Sequence, residues 1–141
     1  MGTMIPRLAL AAVAALACVL GAATAHAQLD LKAAADTVLA QLEAFRRDDY
    51  ETAYTFAAEG VRKVFDRSRF ERMVKTGYPE IARSRSAAVE RAALASSGQA
   101  YLILKILGAN GNRVEAIYEM IWEDTRWKIG GVVSRQDNDL V

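Results

Sequence analysis

The side chains best suited to chemistry in this sequence are carboxylates and phenols. They are Asp48, Asp49, Tyr50, Tyr54, Asp66, Tyr78 and Tyr118. A carboxyl group in an apolar pocket gains a raised pKa, and a phenol beside it can donate a hydrogen bond to an oxyanion. The same residue types also have structural roles, because aspartates favour the first turn of a helix and tyrosines pack in cores. The sequence therefore allows an acid–phenol site without requiring one.

Histidine and cysteine are confined to the first residues of the chain. The only histidine is His26 and the only cysteine is Cys18. Removal of a leader containing both would leave no imidazole base, no thiol nucleophile and no zinc site of nitrogen and sulfur ligands. The remaining chain would also have no disulfide, so its stability would depend on packing. We expect no cofactor and no bound metal.

The N-terminus has the three parts of a secretory signal peptide. Arg7 supplies a basic start, residues 8–20 form an apolar run, and small residues end at Ala25 and Ala27. The run is shorter than the roughly 20 residues that a membrane-spanning helix needs. We predict a signal peptide over residues 1–27, cleaved before Gln28, and an exported protein that is periplasmic or secreted. A retained anchor and lipid attachment at Cys18 are the alternatives.

The charges of the chain are nearly balanced. Apart from Arg7, there are 17 basic and 17 acidic residues, so no global field favours a nucleic acid partner. Bases are concentrated in residues 62–85, where Arg67 and Arg72 could contact anionic lipid headgroups or an acidic partner. The alternative is a solvated face paired with acids elsewhere. We otherwise expect membrane contact only transiently, during export.

The apolar spacing predicts helices in the first part of the chain. One helical stripe comprises Leu31, Ala35, Val38, Leu39, Leu42 and Phe45. Asp48 and Glu51 resemble a capping box that begins a second helix, and a Ser68–Glu71 box begins another that ends near Gly77. The Tyr78-Pro79 pair predicts extended chain beyond it.

After about Ala87, the helical spacing of apolar residues gives way to the alternation, with a period of two, that is typical of β-strands. We predict strands at residues 87–95, 99–107, 113–123 and 127–133, with turns at 108–112 and 124–125. Glycines at 130 and 131 indicate a bulge in the last strand. The fold class is α+β: N-terminal helices pack on a curved, roughly four-stranded antiparallel sheet in a single domain, 28–134. Residues 135–141 are predicted to be a polar C-terminal tail.

Three stretches carry a resemblance to a known family. They are AFRRDDYETAYTFA (44–57), RFERMVKTGYP (69–79) and YEMIWEDTRWKIGGV (118–132). Together they resemble the bacterial domain-of-unknown-function family 4864, over roughly Asp30 to Ser134. The last stretch is also similar to the end of many nuclear-transport-factor-2-like domains. That likeness implies a cone of helices closed against a curved antiparallel sheet, often with a pocket and often dimeric.

The resemblance transfers no functional residue, because the family has no established activity. The nuclear-transport-factor-2-like superfamily includes isomerases and dehydratases that use His, Asp and Tyr in the cone. Without a histidine beyond the leader, the chain departs from the dehydratase pattern, while an Asp/Tyr isomerase of the ketosteroid-isomerase type stays open.

The two faces of the predicted sheet suggest two kinds of contact. Tyr118, Trp122 and Trp127 are expected on the inner face and, with Tyr54, could line a pocket for a small apolar ligand, or simply form the core. On the outer face, an apolar patch would favour a homodimer. That patch consists of Tyr101, Ile103, Ile117 and Ile121.

We therefore predict an exported, non-catalytic domain that binds a small apolar molecule, a lipid or an envelope protein. The alternative is an enzyme without histidine that uses an Asp/Tyr pair in the cone. An open pocket in which a buried aspartate faces a tyrosine would favour the enzyme. A filled cone would favour binding or a scaffold role.

Overall fold

The computed structural model describes residues 30–138 of the chain. The predicted signal peptide, its cleavage site before Gln28 and the last three residues of the predicted tail lie outside the described residues. From Leu31 onward, the described residues form one compact unit. Within residues 30–138, none of the helices has the length and hydropathy of a membrane span.

Within residues 30–138, five helices precede four strands. Helix α1 occupies residues 30–46, and the others are α2 (Tyr50–Thr55), α3 (Glu59–Val64), α4 (Arg67–Gly77) and α5 (Pro79–Ala82). The strands are β1 (Ser84–Leu94), β2 (Ala100–Gly108), β3 (Arg113–Glu123) and β4 (Arg126–Gln136). They form one antiparallel sheet in the order β1-β2-β3-β4. The predicted α+β class is confirmed, and β4 extends beyond the predicted strand into the range 135–141.

The core lies between the helices and the inner face of the sheet. Alternate residues of the central strands are buried: Leu102, Leu104 and Ile106 on β2, and Val114, Ala116, Tyr118 and Met120 on β3. Helix α1 buries Ala34, Val38, Leu42 and Phe45. The predicted apolar stripe therefore differs from the buried face at two positions: Ala35 is only partly buried, and Leu39 is 36% exposed.

The capping residues differ from those predicted. Asp49, not Asp48, caps α2, since its carboxylate accepts a hydrogen bond from the Thr52 amide at 3.1 Å. Asp66 caps α4 in the same way, and the Ser68 capping box is wrong. Adjacent polar residues compete for the cap position, and the backbone of the preceding turn decides between them.

The segment after α4 is helical rather than extended. Pro79 occupies the first turn of α5, where its missing N–H removes no helical hydrogen bond. The carboxylate of Glu80, which is 5% exposed, accepts hydrogen bonds at 3.3 Å from the side chains of Asn110 and Asn112 in the β2–β3 turn. These contacts, which we call the Glu80 clamp, hold α5 against that turn. A Cβ at Gly108 would lie 2.8 Å from Glu80 Cγ, so glycine permits this close approach.

The β3–β4 hairpin has the predicted turn and bulge. Asp124 and Thr125 have φ angles of 47° and 64°, as a two-residue turn with positive φ at both positions requires. Gly131 pairs with Glu119 and Ile129 pairs with Met120, which leaves Gly130 as the additional residue. The predicted bulge is confirmed.

The two edges of the sheet differ. At the β4 edge, Ile129 exchanges backbone hydrogen bonds with Phe56 and Ala58, at 2.8 and 2.9 Å. At the other edge, β1 has irregularities between Ser84 and Ser86 and between Val89 and Arg91. Most of β1 is exposed.

Candidate functional site

An apolar cavity of about 290 Å³ lies between the helices and the inner face of the sheet. Its walls come from helices α1, α3, α4 and α5, the connections between them, and strands β3 and β4. Among the lining residues are Phe45, Val61, Phe65, Phe70, Met73, Val74, Ile81 and Ile129. The helices bring these side chains together because each one turns an apolar stripe toward the sheet.

Two polar side chains of the cavity wall are hydrogen-bonded to the backbone. The amide nitrogen of Gln41, a buried residue of α1, donates to the Ala53 carbonyl at 3.1 Å. The hydroxyl of Tyr78 donates to the Val132 carbonyl at 3.2 Å. Both bonds join separate parts of the chain, so these groups help to fix the wall itself.

The Tyr118 hydroxyl is the exception in this wall. Tyr118 is 1% exposed, and within the described residues its hydroxyl oxygen has no hydrogen-bond partner. Burial raises the pKa of Tyr118 well above its usual value, and the nearby Tyr78 adds to the rise. The phenol therefore stays neutral near pH 7, able to donate and to accept one hydrogen bond. A buried polar group without a partner costs about 1–3 kcal/mol.

The structure brings only one of the four predicted lining residues to this cavity. Tyr118 lines it, whereas Tyr54, Trp122 and Trp127 are not among its lining residues. The Tyr54 hydroxyl donates to the Phe65 carbonyl at 2.8 Å, and the ring packs edge-on against Phe70. Tyr54 therefore supports the wall from behind.

The two tryptophans form a separate aromatic pair at the end of the β3–β4 hairpin. Their ring centroids lie 5.3 Å apart in an edge-to-face arrangement. Trp122 and Trp127 are register partners and so share the predicted inner face, but Trp127 is buried whereas Trp122 is 53% exposed. The alternation of β3 places Trp122 on the inner face. It is exposed there because it lies at the end of the strand, next to the hairpin turn.

The candidate acids lie away from the cavity. Asp48 pairs with Arg83 at 2.8 Å, while Asp49 and Asp66 cap helices. The described lining residues include no carboxylate, so none faces Tyr118 there. Among residues 30–138, no group of three or more His, Cys, Asp or Glu side chains could hold a metal ion.

Half of the eight bases in the segment 62–85 form ion pairs with acids. Lys63 contacts Glu59 at 2.9 Å, and Lys75 contacts Glu71 at 2.9 Å. Arg67 and Arg72 are exposed on α4. Their contact with an anionic surface stays a prediction.

The outer face of the sheet carries the predicted apolar residues and one more. Ile103, Ile117 and Val133 are register partners across β2, β3 and β4. Val133 is 68% exposed and was missed because the predicted strand ends there. Tyr101 is exposed, and Ile121 is half-buried. Homodimer formation through this face stays a prediction.

A layer of helices over one face of a four-stranded antiparallel sheet, with an apolar cavity between them, defines a small α+β domain consistent with a nuclear-transport-factor-2-like cone. The chain belongs to the family described as domain of unknown function DUF4864, whose model matches residues 27–140. The predicted family is thus confirmed, and the superfamily assignment stays a prediction. No curated protein and no solved structure matches the chain.

Proposed function

We propose that this protein is an exported, non-catalytic domain that binds a small apolar molecule in the cavity beneath its helices. The observation that carries the proposal is the cavity itself, about 290 Å³ in volume with walls that are mainly apolar. Small-molecule sites are typically concave and apolar, with a few placed polar groups. Export is supported by the basic, apolar and small-residue parts of residues 1–27.

The chemistry of the wall supports binding rather than catalysis. General acid–base catalysis needs a group that changes its protonation near the working pH. The described lining residues supply no carboxylate, and burial raises the pKa of Tyr118 away from neutrality. The enzyme alternative therefore lacks its acid at this site, while an apolar ligand needs none.

The proposal can be tested by ligand binding with two matched variants of α3. Val61 lines the cavity, whereas Val64 on the same helix is 64% exposed and outside it. We expect saturable binding of the neutral fluorescent probe N-phenyl-1-naphthylamine to the parent and to Val64→Trp. Val61→Trp should lose most of this binding, because the larger side chain occupies the cavity.

Native mass spectrometry of the gently purified protein provides a second measurement. A co-purified small molecule that is retained by Val64→Trp and lost from Val61→Trp would support the proposal. Equal probe binding by the two variants, or no binding by the folded parent, would contradict it.

A further inference from the structure

Gln41 is the polar residue at the centre of the buried face of α1. The residues at helical spacing along this line are Ala34, Val38, Gln41 and Phe45, and each is at most 4% exposed. Glutamine is mostly exposed in folded proteins. Gln41 and Phe45 both line the apolar cavity. An otherwise apolar helix face therefore contributes one carboxamide to the wall of the cavity.

One hydrogen bond fixes the orientation of this carboxamide. Its nitrogen donates to the Ala53 carbonyl at 3.1 Å. The carboxamide oxygen cannot take that place, because both oxygens would be acceptors and neither could donate. The oxygen is therefore the free end of the side chain, and no group within residues 30–138 donates a hydrogen bond to it.

The Gln41 oxygen also remains within reach of a ligand. Two side-chain polar atoms in residues 30–138 are both sealed from solvent and without a hydrogen-bond partner, namely the Tyr118 hydroxyl oxygen and Trp127 Nε1. The Gln41 oxygen is not one of them, so it keeps a surface that a water molecule can reach. Because Gln41 lies on the buried face of α1 and lines the cavity, this surface opens into the cavity.

The chemistry of the wall defines the group that would complement this oxygen. A carboxamide oxygen accepts hydrogen bonds and cannot donate, so its partner must carry an O–H or N–H donor. The described lining residues include no charged side chain. An ammonium or carboxylate group there would lose its hydration without gaining a counter-ion, which is strongly unfavourable. The partner is therefore a neutral donor, of which a hydroxyl group is the simplest.

The volume of the cavity limits the size of the ligand. An engineered apolar cavity of about 150 Å³ in another protein holds benzene. The cavity here is about 290 Å³, so a two-ring compound is a suitable test molecule.

We propose that the cavity binds a neutral, mainly hydrocarbon molecule with one hydroxyl group, and that this hydroxyl donates a hydrogen bond to Gln41 Oε1. This inference rests on the proposed function, since it concerns the same cavity. It identifies the class of ligand and the residue that selects it.

Three two-ring ligands test the inference at pH 7. Naphthalene has no polar group, 2-naphthol has a neutral hydroxyl, and quinoline has a ring nitrogen that accepts a hydrogen bond but cannot donate one. Their dissociation constants are measured for the parent and for Gln41→Met, whose side chain has a similar length but no carboxamide. The affinity for 2-naphthol relative to naphthalene should fall about fivefold in Gln41→Met, which corresponds to one net hydrogen bond. The affinity for quinoline relative to naphthalene should not fall.

Tyr78→Phe is the matched control. It also removes a hydrogen bond between the cavity wall and the backbone, from the Tyr78 hydroxyl to the Val132 carbonyl, but it leaves the Gln41 oxygen in place. Its relative affinity for 2-naphthol should equal that of the parent. Circular dichroism melting establishes that each variant is folded before binding is measured, and Gln41→Leu replaces Gln41→Met if the latter does not fold.

The outcomes separate this inference from the proposed function. If the relative affinity for 2-naphthol is unchanged in the folded Gln41 variant, or falls equally in Tyr78→Phe, the inference is wrong while the cavity still binds apolar molecules. A selective loss of quinoline binding would also overturn it, because the carboxamide would then act as a donor. If none of the three ligands binds the parent, or if Val61→Trp binds them as the parent does, the proposed function fails as well.

Discussion

Glu80 and Tyr118 are both buried polar residues, and their surroundings differ. The Glu80 carboxylate accepts hydrogen bonds from Asn110 and Asn112, whereas the Tyr118 hydroxyl has no partner within the described residues. A buried polar group with all its partners specifies structure. One without partners reduces stability unless another molecule supplies the missing bond. The Glu80 clamp is thus a structural feature, whereas the Tyr118 hydroxyl is a buried group whose lack of a partner reduces stability.

The pKa of Glu80 reflects the same arrangement. Burial raises the pKa of this carboxyl group. Hydrogen bonds from its own backbone amide and from the side chains of Asn110, Asn112 and Gln136 lower the pKa, and together they outweigh the effect of burial. The net direction is downward. The folded protein therefore favours the ionised form of Glu80.

The largest effect is expected from removing the carboxylate of the Glu80 clamp. Glu80→Ala should lower the free energy of unfolding by about 2–3 kcal/mol, because charged hydrogen bonds that join α5 to the β2–β3 turn are lost. Urea denaturation measures the change. The control is Glu43→Ala, which removes an exposed carboxylate paired with Arg46 and should cost less than about 0.5 kcal/mol. Equal effects of the two substitutions would mean that the Glu80 clamp is not structural.

A smaller effect is expected from crowding the Glu80 clamp. Gly108→Ala places a Cβ 2.8 Å from Glu80 Cγ and 3.1 Å from its Cα, and should destabilise the protein by about 1–2 kcal/mol. Gly60→Ala is the matched control, because no atom lies within 4 Å of its added Cβ and alanine favours the helix by up to about 1 kcal/mol. Thermal melting should move in opposite directions for the two variants.

Removing a tyrosine hydroxyl should have different effects at Tyr54, where the hydroxyl is hydrogen-bonded, and at Tyr118, where it is not. Tyr54→Phe should lose about 1 kcal/mol, because its hydroxyl donates to the Phe65 carbonyl. Tyr118→Phe should leave the free energy of unfolding unchanged or raise it by up to about 1 kcal/mol, because an unsatisfied buried hydroxyl is removed. Both values come from denaturation of ligand-free protein. A loss of stability in Tyr118→Phe similar to that in Tyr54→Phe would show that the hydroxyl has a partner inside the protein.

The smallest effect concerns pH. Because the folded-state pKa of Glu80 is lowered from 4.5, its contribution to stability is present above about pH 4.5 and is lost as the pH falls through the folded pKa. The stability of the parent should therefore decrease more on acidification than that of Glu80→Gln. Urea midpoints between pH 7 and pH 3 measure the difference, and parallel curves would contradict it.

Much of the fold follows from local patterns in the sequence. The alternation in β3 predicted that Tyr118 faces inward, and the glycines at 130 and 131 predicted the bulge, because both features depend on neighbouring residues. The caps were displaced by one or two positions, since Asp48 and Asp49 are both suitable caps.

The candidate site could be predicted only in part. Spacing identifies apolar faces, but it cannot show whether facing side chains fill the space between them or leave a cavity. The Glu80 clamp was missed because Glu80 and Asn110 lie 30 residues apart. The exposure of Trp122 depends on where the helical layer ends, and no local pattern records that.

The edges of the sheet have a consequence for solubility. Exposed strand edges can template pairing between molecules, and native proteins interrupt them with bulges and charges. Here, Phe56 and Ala58 occupy part of the β4 edge, and β1 combines its irregular register with Glu90 and Arg91. A straight, alanine-rich β1 would be a favourable start for fibril growth, so we expect deletion of Glu90 to make the protein prone to aggregation while its core stays intact.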